Sequence, residues 1–324
     1  MAWVLEMTKA IKLFHIYYDE KSKSELRPGF ELLDNTTGPS EFREIVPIFN
    51  YLKEQTIRDD EWLGFFSPKF FEKTGLEAKD VLSQVSVANG DTDAFLFTAA
   101  WWHIAYYKNV WEHGEYFHPG IAEICQKLAT RAGYDIDLLN SVSTLDTAVF
   151  SHFLVAKGSF WKEWQRVVKL YFEMIVEDDA AFMKTVEYGD IAHFSVHPFV
   201  IERVPSMILQ NKPFKGLRSN EILRRGSSDI ESILNPNSEF GNSMIGRYSE
   251  LLIKADTCKA KFLETGQQDY LDEYWRFRFW SPTFRGHQNL TKPAIEYLQA
   301  RKVHASYDKL TRMAPEEIDQ RRTA

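Results

Sequence analysis

The chain has 324 residues, 44% of them hydrophobic and 26% charged, which is enough for one large or two ordinary globular domains and argues against wholesale disorder. The formal net charge of −7 argues against a nucleic-acid binder, which would carry a basic excess. The only two cysteines, Cys125 and Cys258, provide no framework for a metal and fit a reducing compartment. Because the chain shows neither a signal peptide nor a run of roughly 20 apolar residues, the sequence predicts a cytoplasmic protein without a membrane span.

The first hundred residues alternate between apolar runs and amphipathic segments. The pattern predicts strands at 10–18, 30–33, 62–66 and 94–97, and helices at 38–52 and 77–87. Such alternation is typical of an α/β fold, here a Rossmann-type, mostly parallel sheet flanked by helices. Pro47 is expected to kink the first of these helices.

Helices become the main prediction further along the chain. They are expected at 100–117, 119–131, 160–177 and 198–209, with one more strand at 148–155. From about residue 212, loops rich in Ser, Asn and Gly separate less regular helices. The sequence therefore predicts two parts: 1–211 as an α/β domain, and 212–324 as a mainly helical portion that packs on it.

Several well-defined motifs are missing from the sequence. It contains no Gly-x-x-x-x-Gly-Lys-Ser/Thr, no Gly-x-Gly-x-x-Gly, no His-Glu-x-x-His and no Gly-x-Ser-x-Gly. These absences argue against P-loop nucleotide hydrolases, dinucleotide-dependent enzymes, zinc proteases and α/β-hydrolases.

An Asp-x-Asp motif stands at Asp91-Thr92-Asp93. Two carboxylates in this arrangement suit Mg²⁺ or Mn²⁺ held against a nucleotide diphosphate. The motif precedes a predicted strand, whereas such pairs usually follow one. A solvated turn after Gly90 is the alternative interpretation.

The segment 111–120 is the densest in chemically active side chains. It holds two Glu, two His and two Gly, so that Glu115 or His118 is a candidate general base and the aromatic rings could stack on a sugar. The alternative is a polar loop between two helices with its aromatic side chains in the core. The overall aromatic content of 15% suits both, and it leaves self-association of the chain open.

Other candidates follow from position, because parallel sheets bind ligands at the carboxyl ends of their strands. Tyr17, Asp34, Asn35 and Lys69 occupy such turns, and Arg43 is a further candidate contact for a diphosphate. Two more residues are ambiguous. His152 lies in an apolar run and fits a hydrogen-bonded core residue as well as a ligand contact. Arg203, beside Glu202, is either a buried anion contact or half of an exposed ion pair.

Four segments, taken in order, carry a resemblance to a known family. They are Phe14–Tyr18, Trp62–Phe70, Phe150–Trp161 and Phe199–Arg203. In this order they resemble the GT-A-type glycosyltransferase-like proteins of bacterial capsule and O-antigen loci. The resemblance covers roughly residues 10–210. The chain has Ser67-Pro68-Lys69-Phe70 where such relatives carry His-Tyr-Arg-Arg.

The resemblance implies a GT-A-like domain at 1–211 that moves a sugar from a nucleotide-diphosphate donor to a glycan or lipid-linked acceptor in surface polysaccharide synthesis. The strand ends would hold the donor, with contacts expected from Tyr17, Asp34, Asn35, Lys69, His152 and Arg203. Glu115, Asp93 or His118 would be the base. The charge of the leaving diphosphate would be met by Mn²⁺ or Mg²⁺ at Asp91 and Asp93, or by Lys69 and Arg203.

A second interpretation of the same fold is a carbohydrate-binding or scaffold protein without turnover. In either case the expected partners are sugars rather than nucleic acid, and the expected place is the cytoplasm, free or peripheral at the inner membrane.

Overall fold

The computed structural model of the chain describes residues 10–88, 90–177, 185–188, 191–225, 239–280 and 288–302. Within these residues the chain forms two compact units. The first contains the described residues up to Ala99, together with Val110–Ser141 and Asp146–Ile222. The second contains Ala100–Asn109, Val142–Leu145 and the described residues from Leu223 onward. The division expected near residue 212 stays a prediction.

A six-stranded sheet forms the centre of the first unit. The strands of the chain are β1 (Ile11–Tyr17), β2 (Glu31–Asp34), β3 (Trp62–Phe66), β4 (Ala94–Leu96), β5 (Leu154–Lys157), β6 (Thr185–Tyr188), β7 (Ile191–Ser195) and β8 (Gly216–Arg218). The large sheet has the order β2-β1-β3-β5-β4-β8, and β6 pairs with β7 separately. β1 is parallel to β2 and β3, β4 is parallel to β8, and β5 runs antiparallel to both of its neighbours. The predicted α/β fold with a mostly parallel sheet is therefore confirmed.

Helices lie between these strands and, in the sequence, after the last of them. They are α1 (Glu20–Ser24), α2 (Ile45–Glu54), α3 (Phe70–Thr74), α4 (Ala78–Ser86), α5 (Trp102–Tyr106), α6 (Val110–Phe117), α7 (Ile121–Arg131), α8 (Gly158–Glu177), α9 (His197–Ile201), α10 (Val204–Asn211), α11 (Asn220–Arg225), α12 (Glu239–Thr265), α13 (Gln268–Trp280) and α14 (Gln288–Arg301). All five residues of β3 are buried, so both faces of the sheet are covered at its middle. On one face, Trp161 of α8 donates its ring N–H to the backbone oxygen of Leu63 at 2.9 Å.

Many of the aromatic residues pack into this core. Phe66 and Phe70 have ring centroids 4.3 Å apart, and Phe70 meets Phe153 edge to face at 5.1 Å. The cluster lies where β3 ends and β5 begins, with rings from distant parts of the chain. Aromatic side chains here serve as core material directly beneath the end of the sheet.

The helix expected at 38–52 begins later than predicted. A short 3-10 turn at Ser40–Phe42 is followed by Arg43 in the left-handed region with φ 48°, and α2 starts only at Ile45. Pro47 therefore lies in the first turn of α2, where its missing N–H has no helical partner to lose. The expected kink has no cause at this position.

Further elements differ from their predicted limits, and the helix expected at 100–117 is two helices, α5 and α6. The strand expected from 148 begins at Leu154, because Ser151 and His152 adopt φ values of 61° and 55°, which an extended strand cannot contain. The helix expected at 198–209 is two helices, α9 and α10, separated at Glu202 and Arg203. The segment 111–117, for which a loop was the alternative interpretation, is helical.

The second unit is helical in its described part, with α5, α12, α13 and α14. Lys259 of α12 is fully buried, and its ammonium group donates to the backbone oxygens of Ile104, Tyr107 and Lys108 at 2.5, 2.9 and 3.2 Å. These oxygens belong to the last turn of α5 and the residues after it, so the buried ammonium satisfies carbonyl groups that a helix end leaves without partners.

Candidate functional site

A cavity of about 410 Å³ opens at the carboxyl ends of β1 and β3. Residues of several elements line it: Tyr18 and Asp19 after β1, Ser67 to Lys69 after β3, the Arg43-Glu44 turn, Lys73 of α3, Ser151 before β5, and Phe199 and Glu202 at α9. We refer to it as the strand-end cavity. Its volume lies within the range of roughly 300–1,000 Å³ that small-molecule sites occupy.

The order of the strands explains why a cavity forms there. From β1 the chain continues to β2 on one side, and β3 then pairs with β1 on the other side. The connections after β1 and β3 therefore diverge and leave a crevice between them. This reversal of strand order is the place where open α/β sheets bind their ligands.

Charged side chains surround the cavity. Its basic residues are Lys21, Arg43, Lys69 and Lys73, and its acidic residues are Asp19, Glu25, Glu44, Glu72 and Glu202. None of the four basic groups forms an ion pair with a carboxylate of the described residues. Lys73 instead donates to the Ser151 hydroxyl at 3.1 Å, and the Arg43 guanidinium lies 4.9 Å from the Phe194 ring centroid. The four cations are mixed with five carboxylates but are not held in ion pairs within the described residues, so an anionic ligand can contact them.

Unfavourable backbone conformations concentrate at the same place. Arg43 and Ser151 line the cavity with φ values of 48° and 61°, and His152, with φ 55°, directly follows. Each such residue costs on the order of 1–2 kcal/mol and persists only where its surroundings hold it. Asn35 is buried, and its side-chain amide donates to the Arg43 backbone oxygen at 2.8 Å, which stabilises one of these turns.

Glu202 has the most perturbed carboxyl group of the cavity. Burial raises the pKa of Glu202 to about 7, and the negative charge of Glu44 acts in the same direction. The charges of Arg203 and Lys73 and the backbone amide of Ser151 oppose that rise without cancelling it. Glu202 therefore exchanges a proton near neutral pH, which an ordinary glutamate does not.

Tyr18 lines the same cavity, and its hydroxyl lies near Glu44. Burial raises the pKa of its hydroxyl, and the nearby Glu44 carboxylate raises that pKa further. The hydroxyl consequently stays protonated and remains a hydrogen-bond donor over the physiological range.

Of the residues predicted to contact a donor at the strand ends, Lys69 lines the cavity. Tyr17 and Asp34 are register partners at the ends of β1 and β2, on the same edge of the sheet but outside the lining. Hydrogen bonds from Thr36 and from the Tyr17 hydroxyl lower the pKa of Asp34. Asn35 does not line the cavity, but its side chain binds the backbone of Arg43, which does.

Arg203 lies behind the cavity, with 2% of its surface exposed. Its guanidinium donates to the backbone oxygens of Val110 and Phe199 at 3.1 and 2.6 Å and approaches Nδ1 of His113 at 3.3 Å. A Cβ at Gly114 would come within 2.7 Å of its Nε, so only glycine lets α6 approach this closely. The side chain joins α6 to α9 and places a positive charge next to Glu202.

The predicted bases in the segment 111–120 lie elsewhere. The carboxylate of Glu115 accepts hydrogen bonds from the backbone N–H groups of Gly120 and Ala122 at 2.8 and 3.1 Å, at the start of α7. The His118 ring stacks on Phe199 with centroids 3.7 Å apart, and burial, helped by the Arg203 charge, lowers its pKa to about 4. Glu115 borders a separate groove of about 930 Å³ along α7. Neither residue lines the strand-end cavity, and whether they take part in chemistry stays a prediction.

His152 is buried in the core of the first unit. Its ring lies edge to face against Trp164 at a centroid distance of 5.8 Å, and burial lowers its pKa to about 4.

Asp91 and Asp93 stand at the opposite edge of the sheet, where β4 begins. Asp93 pairs with the Lys157 ammonium at 3.0 Å and accepts from the Lys215 backbone N–H at 2.9 Å. Asp91 pairs with the Lys215 side chain at 3.3 Å. The structure does not bring this pair together with the predicted donor residues. Among the described residues, no group of three or more His, Cys, Asp or Glu side chains is arranged to hold a metal ion.

Tyr18, Glu44, Lys73 and Glu202 were not predicted to share one site. For two of them, the position in the sequence could have indicated a place at the site. Tyr18 directly follows a residue that was selected at the end of β1, and Lys73 lies one helical turn after Lys69. For Glu44 and Glu202 no local pattern identifies the cavity, because each enters it from a break in helical structure.

Comparison of the chain with protein-family models, with curated proteins and with solved structures finds no match. No helix in the described part of the chain has the length and hydropathy needed to cross a membrane.

Proposed function

We propose that the protein is a GT-A-type glycosyltransferase that binds a nucleotide-diphosphate sugar in the strand-end cavity and transfers the sugar to a glycan or lipid-linked acceptor. The observation that carries the proposal is the cavity itself: it lies at the reversal of strand order, and its four basic side chains form no ion pair among the described residues. Basic side chains of this kind bind the oxygens of a diphosphate.

The resemblance to glycosyltransferase-like proteins also supports the strand-end cavity as the donor site. Each of its four segments contributes lining: Tyr18 from the first, Lys69 from the second, Ser151 from the third and Glu202 from the fourth. These segments are far apart in sequence, yet they meet at one cavity. We expect the four segments to meet in this way if they resemble the family because they bind the same kind of ligand, and not only because they form the same core.

The reaction follows from these groups. The oxygen of an acceptor hydroxyl forms a bond to the anomeric carbon, the bond between that carbon and the diphosphate oxygen breaks, and the nucleoside diphosphate leaves with the electron pair. Arg43, Lys69 and Lys73 stabilise the negative charge that develops on the leaving group. Asp91 and Asp93 lie at the other edge of the sheet, so a cation bound there would not contact this diphosphate; the predicted use of Mn²⁺ or Mg²⁺ stays a prediction.

Calorimetric titration of the full chain with UDP, GDP and ADP, their sugar conjugates and the free sugars, each with and without Mn²⁺, tests the proposal. We expect one nucleotide to bind, and Lys69→Ala to weaken its affinity roughly tenfold because a charge-assisted hydrogen bond is lost. Lys127→Ala, on the exposed surface of α7, is the matched control and should leave the affinity unchanged.

Two results would overturn the proposal. Binding of free sugars without any nucleotide would favour the carbohydrate-binding protein instead. Nucleotide binding that Lys69→Ala and Lys127→Ala affect equally would place the ligand outside the strand-end cavity.

A further inference from the structure

We infer that Glu202 is the proton acceptor of the strand-end cavity and removes the proton from the acceptor hydroxyl as its oxygen attacks the sugar. The inference rests on the proposed function and assigns a residue to a step that the proposal leaves without one. The other carboxylates predicted for this role, Glu115 and Asp93, lie outside the cavity.

The position of Glu202 is set by structure on three sides. It occupies the break between α9 and α10, where the side chain turns toward the cavity, and it is one of the lining residues. Arg203, behind it, is fixed by the backbone oxygens of Val110 and Phe199. In front of it, the left-handed Ser151 brings its backbone amide and the Lys73 ammonium close to the carboxylate. A group held in this way can meet a hydroxyl in a defined direction.

The surroundings also make Glu202 a stronger base than a solvated glutamate. The groups that face it are Arg203 on its own segment, Lys73 of α3, Glu44 before α2, Tyr18 after β1 and the Ser151 amide. Burial outweighs the two cations, so the pKa is raised to about 7. At neutral pH a large fraction of the carboxyl groups is ionised, and each has a proton affinity matched to general-base catalysis.

The carboxylates outside the cavity differ in their partners. Glu115 accepts two backbone hydrogen bonds at the start of α7, and Asp93 is held by Lys157 and the Lys215 amide. Glu202 combines access to the cavity with burial that outweighs the two cations and the Ser151 amide around it.

The proton balance of the step is complete. The O–H bond of the acceptor breaks and its proton passes to a carboxylate oxygen of Glu202, while the electron pair forms the bond to the anomeric carbon. The diphosphate departs with the pair of the broken C–O bond. Glu202 then releases the proton to water once the product has left.

The test compares the wild-type chain with Glu202→Gln and with Glu123→Gln, an exposed glutamate on α7 that serves as control. The nucleotide sugar found by titration is the substrate, and its hydrolysis, with water as acceptor, is the readout. We expect Glu202→Gln to bind the nucleotide within about threefold of wild type and to hydrolyse the donor at least about 100-fold more slowly. In the wild type, kcat/KM should rise with pH and level off above about 7. Glu123→Gln should show the same rise and plateau.

A second measurement needs no substrate and remains available if Glu202→Gln fails to fold. The infrared band of a protonated carboxylic acid in the wild-type chain should contain one component that disappears with a midpoint near pH 7, and Glu202→Asp should shift that midpoint. A midpoint below 5, or hydrolysis retained in Glu202→Gln with an unchanged pH profile, would overturn the role of Glu202. Failure of the wild type to bind any nucleotide sugar would instead overturn the proposed function, and with it the transfer step assigned here.

Discussion

At the edge of the sheet where β4 begins, charged side chains satisfy one another, whereas at the edge where β1 and β3 end they surround a cavity. Asp93 has both Lys157 and a backbone N–H as partners, and Asp91 has the Lys215 side chain. At the other edge Lys69 lines the cavity without forming an ion pair among the described residues, and Glu202 has a pKa of about 7. Both edges contain the acidic and basic residue types from which a nucleotide site could be built.

The difference shows that residue type alone does not mark a site. Where a carboxylate has its full set of partners, the interaction contributes to stability. Where burial outweighs the partners of a carboxylate, its pKa rises and it can exchange a proton near neutral pH. The left-handed turns at Arg43 and Ser151 strengthen the contrast, because unfavourable backbone is tolerated at the cavity edge.

The largest effect is expected from removing the buried support of the cavity. Arg203→Met would leave the backbone oxygens of Val110 and Phe199 without their donor and remove a cation beside Glu202. We expect unfolding of the chain to require about 3 kcal/mol less free energy. The Glu202 pKa should rise further, which would move the pH midpoint of donor hydrolysis upward. Denaturant unfolding and the pH profile measure the two effects.

Arg131→Met is the control for that variant. Arg131 also binds through its guanidinium, but to Glu177 at the surface, and loss of an exposed pair should change stability by less than about 1 kcal/mol. Equal destabilisation by the two variants would contradict the assignment of Arg203 as the buried link between α6 and α9.

An intermediate effect is expected at Glu115, which belongs to neither edge. Glu115→Ala removes the acceptor of two N–H groups at the start of α7 and should cost about 1–2 kcal/mol of stability. If the residue acts only there, donor hydrolysis by the folded variant should stay within about twofold of wild type. Loss of hydrolysis in a folded Glu115→Ala chain, with Glu123→Ala unaffected, would restore Glu115 as the candidate base.

The smallest effect is expected at the opposite edge of the sheet. Asp93→Asn weakens a pair that is one-fifth exposed on each side and should lower stability by about 0.5–1 kcal/mol. Nucleotide affinity and its response to Mn²⁺ should stay as in wild type. Asp91→Asn, at a more exposed carboxylate, is the milder comparison. Loss of a Mn²⁺ response in both variants would support the metal site that the Asp-x-Asp motif suggests.

Local sequence patterns predicted most of the secondary structure of the first unit. The apolar runs that became β1 and β3 were found because a strand buried on both faces is apolar along its length. The segment that became α8 was found because burial of one helix face imposes a period of 3.6. Lys69 was predicted as well, since the end of a parallel strand is a position that can be read along the chain. The starts of α2 and β5 were missed because the left-handed residues Arg43 and Ser151 are not glycines and give no local signal.

The sequence by itself thus determined the alternation of elements, the mostly parallel sheet and the edge at which to look for a ligand. Tertiary structure decided which charged side chains have partners at each edge of the sheet. Asp93 meets Lys157 across 64 residues and the Lys215 amide across 122, and the charge of Lys73, on an early helix, acts on Glu202. Such pairs depend on the order in which strands assemble, whereas hydrophobic periodicity specifies only which face of each element is buried. The chemistry of a carboxylate depends on its partners, and only the folded chain brings those partners together.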